Sequence, residues 1–244
     1  MAFGPDNRFK LRAGRMTGAQ AYDAGIDVGL RKYMLGVYNY MASGLALTGI
    51  VALGVFSSET ALQLIFGTGL VWVVMLAPLA FILVLSFGVH KMKASTLQMI
   101  FWAFCAVMGM SMASIFIQYT GASIARVFFI TAGTFAGMSL YGYTTKRDLS
   151  GFGSFLIMGL IGIIIASVVN IFLQSSAMQF VISVVGVLVF VGFTAYDTQR
   201  IKSIYRESDS SETQSKKIIM GAVSLYLDFV NLFMMLLQLF GARR

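Results

Sequence analysis

Residues 149–196 read LSGFGSFLIMGLIGIIIASVVNIFLQSSAMQFVISVVGVLVFVGFTAY and contain no charged side chain over 48 positions. About 20 apolar helical residues cross a bilayer core, so this stretch is too long for one crossing and long enough for two. Its only polar cluster, Gln174-Ser175-Ser176, divides it into spans over 152–173 and 177–198. The apolar runs are continuous, which favours helices over the alternating segments of a β-barrel. The stretch therefore predicts a pair of membrane-spanning helices.

The composition extends this prediction to the whole chain. Of the 244 residues, 58% are hydrophobic and only 11% are charged, whereas soluble domains carry about 25% charge. This excludes a soluble enzyme, a coiled coil and a disordered chain, and the single Cys105 excludes a disulfide framework. We therefore predict an all-α integral membrane protein whose residues 33–244 form a seven-helix transmembrane domain, the other five spans being 33–56, 64–87, 97–119, 125–143 and 218–240.

The basic residues predict how the chain is oriented. A cytoplasmic N-terminus places 15 of the 18 Lys and Arg residues on the cytoplasmic side, and the exceptions are Arg126, Arg243 and Arg244. Residues 1–32 are then a polar cytoplasmic arm, with no cleavable signal segment before the first span. The net charge of +8 reflects this orientation and the anionic lipid surface, and we expect no nucleic-acid partner.

The order of the spans permits an internal repeat. Spans one to three and four to six form two groups of opposite orientation, as in inverted-repeat transporters. Gly133 and Gly137 form a GxxxG motif on span four, which predicts a close contact with another helix.

Asp228 lies about ten residues, or about 15 Å, inside the last span. An ionised Asp at the centre of a membrane helix costs about 2.5–3.5 kcal/mol on insertion scales. Asn231 follows one turn later on the same helix face. We therefore expect Asp228 to face the protein interior as a functional residue, with Asn231 supporting it.

Asp197 lies near the cytoplasmic end of span six, where Arg200 could form a simple surface pair with it. If the carboxylates of Asp197 and Asp228 meet, they cannot both ionise cheaply and would share a proton. When deprotonated they would offer oxygen ligands to a hard cation such as calcium. The only histidine, His90, is either a solvated helix-end residue or a partner of Asp197 from the end of span two.

Two stretches, Phe193–Gln199 (FTAYDTQ) and Ser224–Phe233 (SLYLDFVNLF), resemble the Bax inhibitor family of membrane proteins. With the seven spans and the basic arm, the resemblance covers nearly the whole chain, and the length suits a bacterial member in the inner membrane. It implies that spans one to six surround the last helix. It also implies a pH-sensitive calcium leak gated by Asp197 and Asp228. Family members can place a latching Arg at the end of span two, where this sequence has His90.

Three classes of function remain open. In the first, the chain is a calcium leak without cofactor or catalytic residue, whose partners are the bilayer, calcium and protons. In the second, it is a stress or cell-death regulator that acts through a membrane-protein partner such as a protease. In the third, Asp197 and Asp228 form the dyad of an intramembrane aspartyl protease, but the sequence 225–228, LYLD, replaces the GxGD motif of those enzymes.

Overall fold

The structure, a computed structural model, describes residues 18–244, and it describes side chains from residue 28 onward. Seven of its helices are long and apolar enough to cross a membrane, and the remaining one, α2, is short. Within the described residues there is no strand, and one isolated β-bridge pairs Tyr119 with Arg243. The prediction of an all-α membrane protein with seven spans is confirmed. The helices are α1 (Gly18–Phe56), α2 (Glu59–Phe66), α3 (Leu70–Gly88), α4 (Ala94–Gln118), α5 (Gly121–Thr144), α6 (Ser150–Leu173), α7 (Ser176–Ser203) and α8 (Ser211–Phe240).

The helix ends differ most from the predicted spans in the first third of the chain. Predicted span 64–87 is in fact the end of α2, a break at residues 67–69 and then α3. Two of the three break residues are glycines, but the flanking residues are apolar, so a hydropathy pattern runs through the break. Helix α1 begins inside the predicted arm 1–32. Residues 1–17 of that arm lie outside the described residues, and its cytoplasmic location stays a prediction.

The last helix, α8, is the most buried span of the described bundle. It packs against α1, α4, α5 and α7. Helices α3 and α6 lie further out and pack mainly on α4 and α7, respectively. The C-terminal helix is therefore central, but four helices surround it directly, while α3 and α6 cover two of those four.

The two groups of three spans pack in the same way. In the first group α4 contacts both α1 and α3, and in the second group α7 contacts both α5 and α6. Each group then contributes two helices to the surroundings of α8. This correspondence is the packing expected of two inverted units.

Glycines mark the closest helix approaches in both groups. A Cβ at Gly109 of α4 would lie 2.6 Å from a carbonyl oxygen of α1, and a Cβ at Gly142 of α5 would overlap a carbonyl oxygen of α7. The predicted contact at Gly133 and Gly137 is wrong, because a Cβ at either position would meet no atom within 4 Å. The GxxxG spacing identifies a small-residue face but not the direction in which that face points.

Helix α8 crosses the whole bundle. At its start, the Glu212 carboxylate accepts a 2.6 Å hydrogen bond from the Ala94 backbone N–H, at the first residue of α4. At its far end, the Arg244 N–H donates to the Gln118 carbonyl at 2.9 Å, at the last residue of α4. The α3–α4, α5–α6 and α7–α8 loops thus share one end of the bundle, which the basic residues predict to be cytoplasmic. The C-terminus lies at the opposite end, which we call the predicted outer end.

Candidate functional site

The register of α7 and α8 brings the two aspartates close together. The helices are antiparallel, and the Ser183 hydroxyl donates a 2.9 Å hydrogen bond to the Gln238 side chain near the predicted outer end. Counting from that contact, Asp197 faces residues 224–225 of α8, and Asp228 lies about one turn deeper, about 6 Å along the axis. The two carboxylates therefore occupy neighbouring levels of one helix interface.

Both aspartates are buried, with 9% of Asp197 and 6% of Asp228 exposed. The two carboxylates are close enough for the charge of one to act on the other. The Oδ2 atom of Asp228 has no hydrogen-bond partner within the described part of the chain. Buried polar atoms are nearly always paired, so this oxygen is a feature that packing alone does not explain.

The basic partner of Asp197 in the structure is Arg200. Its guanidinium Nη1 lies 4.0 Å from Asp197 Oδ1, and 64% of the Arg200 side chain is exposed. This is the surface pair that the three-residue spacing predicted, and its length and exposure make it weak.

No hydrogen bond or ion pair within residues 28–244 joins the other two predicted site residues to this pair. His90 is exposed in the turn after α3, and no ion pair joins it to Asp197 among residues 28–244. Asn231 is half-buried and makes no side-chain hydrogen bond within the same range. Their supporting roles remain predictions.

A chain of hydroxyl groups holds the turn of α7 that carries Asp197. The Tyr38 hydroxyl of α1 hydrogen-bonds Ser139 of α5 at 2.5 Å, and Ser139 bonds Thr198 of α7 at 3.0 Å. Thr198 in turn donates to the Thr194 carbonyl one helical turn earlier, at 2.7 Å. The residue after Asp197 is therefore connected to two other helices, which limits the rotation of α7 at this level.

Sequence reasoning missed a polar network at the predicted outer end. The Gln179 amide nitrogen donates to the Gln238 side-chain oxygen at 2.6 Å, and Ser183 donates to the same oxygen at 2.9 Å. Asn170 of α6 donates to Gln179 at 3.3 Å, so the network joins three helices. The available signal was the occurrence of amide side chains inside otherwise apolar spans.

The aspartate pair alone offers few oxygen ligands to a metal ion. No group of three or more His, Cys, Asp or Glu side chains that could hold a metal ion occurs in the described portion of the chain. Calcium takes six to eight oxygen ligands in a tight site. Two carboxylates alone suit a proton, or a cation that is bound briefly with its own water.

The comparisons with known proteins agree with this architecture. The family model described as inhibitor of apoptosis-promoting Bax1 matches residues 30–244. A Rickettsia prowazekii protein without an assigned function is 50% identical over 218 residues, covering 89% of this chain and 92% of its own. The Escherichia coli inner membrane protein YbhL is 49% identical over 220 residues, covering 88% and 94%. A Caulobacter vibrioides protein is 44% identical over 248 residues, covering 98% and 99%. The chain therefore belongs to the Bax inhibitor family of multi-pass membrane proteins.

Proposed function

We propose that this protein is a pH-sensitive calcium leak in a bacterial inner membrane, with Asp197 and Asp228 as its proton-sensing and cation-binding pair. The E. coli relative is named as an inner membrane protein, which supports this location. The N-terminus is cytoplasmic in the proposal, in line with the distribution of basic residues.

One observation carries the proposal: a buried carboxylate oxygen without a partner at the centre of the bundle, beside a second buried carboxylate. Two such groups cannot both be ionised cheaply in apolar surroundings, so at low pH they hold a proton between them. Loss of that proton leaves a doubly negative site that attracts a divalent cation. Because protons and calcium compete for the same oxygens, calcium occupancy rises with pH.

The mechanism also gives Arg200 a role. Its guanidinium is the nearby positive charge that competes with calcium for Asp197. A weak and exposed pair can open at small cost, so it modulates the site without blocking it. His90 is proposed as a second, pH-dependent modulator, and Asn231 as a neutral oxygen ligand one turn from Asp228.

The test is calcium flux into proteoliposomes that contain the purified protein, measured across a pH series. The wild-type flux should rise with pH, and Asp197→Asn or Asp228→Asn should remove most of that rise, because each change removes one ionisable oxygen pair. Glu207→Gln, an exposed acid in the α7–α8 loop, is the matched control and should follow the wild type.

If calcium flux in both Asp variants depended on pH as it does in the wild type, this mechanism would be ruled out.

A regulator that acts through a membrane-protein partner is the alternative. It predicts no calcium flux from the purified protein, and a stable copurifying protein whose association survives both Asp substitutions. Cleavage of a membrane substrate that fails in either Asp variant would instead support a protease.

A further inference from the structure

A basic pocket that Arg200 borders lies at the predicted cytoplasmic end. It is a cavity of about 300 Å³ between the α5–α6 loop and the last turns of α7. Three of its lining residues are basic and one is acidic, and the other four carry hydroxyl or amide groups; the charged set is Lys146, Arg147, Arg200 and Asp148. The pocket therefore has a net positive charge and several hydrogen-bond donors.

The backbone around the pocket is fixed by one side chain. The Gln199 amide nitrogen donates to the Arg147 carbonyl at 2.8 Å, and the Gln199 side-chain oxygen accepts from the Leu149 N–H at 2.8 Å. Both ends of this amide thus connect α7 to the α5–α6 loop. The basic side chains project from a backbone that is already ordered, which lowers the entropic cost of binding.

The one acidic residue of the pocket is already engaged. Asp148 accepts a 2.9 Å hydrogen bond from the Ser150 backbone N–H, at the first turn of α6. Hydrogen bonds from the Ser150 side chain and backbone lower the pKa of Asp148 below its ordinary value. Its charge is therefore directed at the α6 N-terminus, and the guanidinium groups of the pocket remain available to an anion.

We propose that this pocket binds a phosphate group, and that phosphate there withdraws Arg200 from Asp197. Arginine presents a planar fork of N–H donors that matches phosphate oxygens, so Arg147 and Arg200 suit this ligand better than a halide. The phosphate belongs either to an anionic lipid headgroup at the membrane surface or to inorganic phosphate in solution. The chemistry is shared, and the experiment distinguishes the two sources.

The coupling follows from the position of Arg200, which borders the pocket and also lies 4.0 Å from Asp197. Its guanidinium cannot pair fully with both anions. Phosphate and Asp197 therefore compete for one cation, and by linkage the removal of either partner strengthens the binding of the other. Under the proposed function, on which this step rests, the competition leaves Asp197 more available to calcium when phosphate is bound.

The site itself is tested by binding to the purified full-length protein. One arm titrates inorganic phosphate calorimetrically, and the other counts retained phosphatidylglycerol against phosphatidylcholine by native mass spectrometry. Arg147→Gln should weaken the binding of whichever ligand occupies the pocket, phosphatidylglycerol or inorganic phosphate, about tenfold. The reason is the loss of a charged hydrogen bond. Lys91→Gln, an exposed basic residue of the α3–α4 loop, is the control and should bind as the wild type.

The arm in which Arg147→Gln reduces binding identifies the source as lipid or free phosphate, and a reduction in both arms establishes a general phosphate site. Equal binding by Arg147→Gln and Lys91→Gln in both arms overturns the site.

The coupling is tested without calcium, so its result is independent of any flux. Asp197→Asn should tighten phosphate binding about two- to fivefold, the range expected for release of a weak exposed pair. Glu207→Gln removes the same charge at the same end of the bundle and should tighten binding less. Equal effects of the two substitutions overturn the competition for Arg200. Absence of calcium flux from the wild-type protein would overturn the proposed function but not the phosphate site.

Discussion

The central helix α8 has two unlike faces. Toward α1 and α4, the Tyr226 hydroxyl bonds Thr48 at 2.7 Å, and Thr48 donates to the Cys105 carbonyl at 2.9 Å. The Tyr226 ring packs edge-on against Phe104. Toward α7, Asp228 is also buried but has an oxygen without a partner. The same helix thus carries a buried hydroxyl that is paired and a buried carboxylate that is not fully paired.

The difference between the two faces of α8 distinguishes residues that stabilise the fold from residues that serve the function. A paired polar group inside a bundle stabilises it and specifies one arrangement, since its loss exposes a buried partner. A buried carboxylate without a partner destabilises the bundle. A sequence retains such a residue where its change of charge serves the function of the protein. The first interface should therefore lose stability when it is altered, whereas the second should lose activity and not stability.

The largest loss of stability is expected at the α5–α7 contact. Gly142→Ala places a methyl group against the backbone carbonyl of Ala195, which cannot move as a flexible side chain can. Overpacking of this kind costs about 1–3 kcal/mol. Thermal unfolding in detergent should show it, with Gly133→Ala as the matched control, because that position is open and Ala favours helix over Gly. Equal melting temperatures of the two variants would contradict the packing described for α5 and α7.

A loss of at most comparable size is expected at the paired face of α8. Thr48→Val keeps the shape of the side chain but leaves the Tyr226 hydroxyl without its partner. An unsatisfied buried hydroxyl costs about 1–3 kcal/mol. The double variant Thr48→Val with Tyr226→Phe removes both partners and should recover part of the loss in the same unfolding measurement. If the double variant is destabilised by the sum of the single losses, the hydrogen bond does not contribute as described.

The smallest effect, with the opposite sign, is expected at the unpaired face. Asp228→Asn removes a charge that is costly to bury. The melting temperature at neutral pH should therefore stay equal or rise. The free energy of unfolding should increase by no more than about 1 kcal/mol. A marked loss of stability would show that Asp228 is a structural residue with a partner in the working protein. Asp209→Asn is the contrasting control, because Asp209 has a partner in Lys217 and should lose stability when neutralised.

Most of the fold follows from residue chemistry that a sequence displays directly. The uncharged stretch 149–196 predicted α6 and α7, and its polar cluster became the turn between them, where Ser175 accepts a hydrogen bond from the Met178 N–H. Asp228 stood out because a charge in an apolar span is costly anywhere. These predictions need only local sequence and the dimensions of a bilayer.

The remaining features depend on how helices face one another. The GxxxG pair on α5 points away from its neighbours, while Gly109 and Gly142, which carry no such motif, make the close approaches. The one-turn offset between Asp197 and Asp228 follows from the register of α7 against α8, which the Ser183–Gln238 hydrogen bond marks. His90 and Arg200 were both candidate partners of Asp197, and only the packed structure shows that Arg200 is the one beside it.

The most direct test of the account is whether Asp197 and Asp228 act as one unit. The measurement is the pH dependence of calcium flux for Asp197→Asn, Asp228→Asn and the double variant in the same proteoliposomes. If the carboxylates share one proton and one cation, either single change removes most of the pH dependence, and the flux of the double variant is no lower than that of the weaker single variant. Wild-type pH dependence in one single variant, or losses that multiply in the double variant, would contradict a shared site.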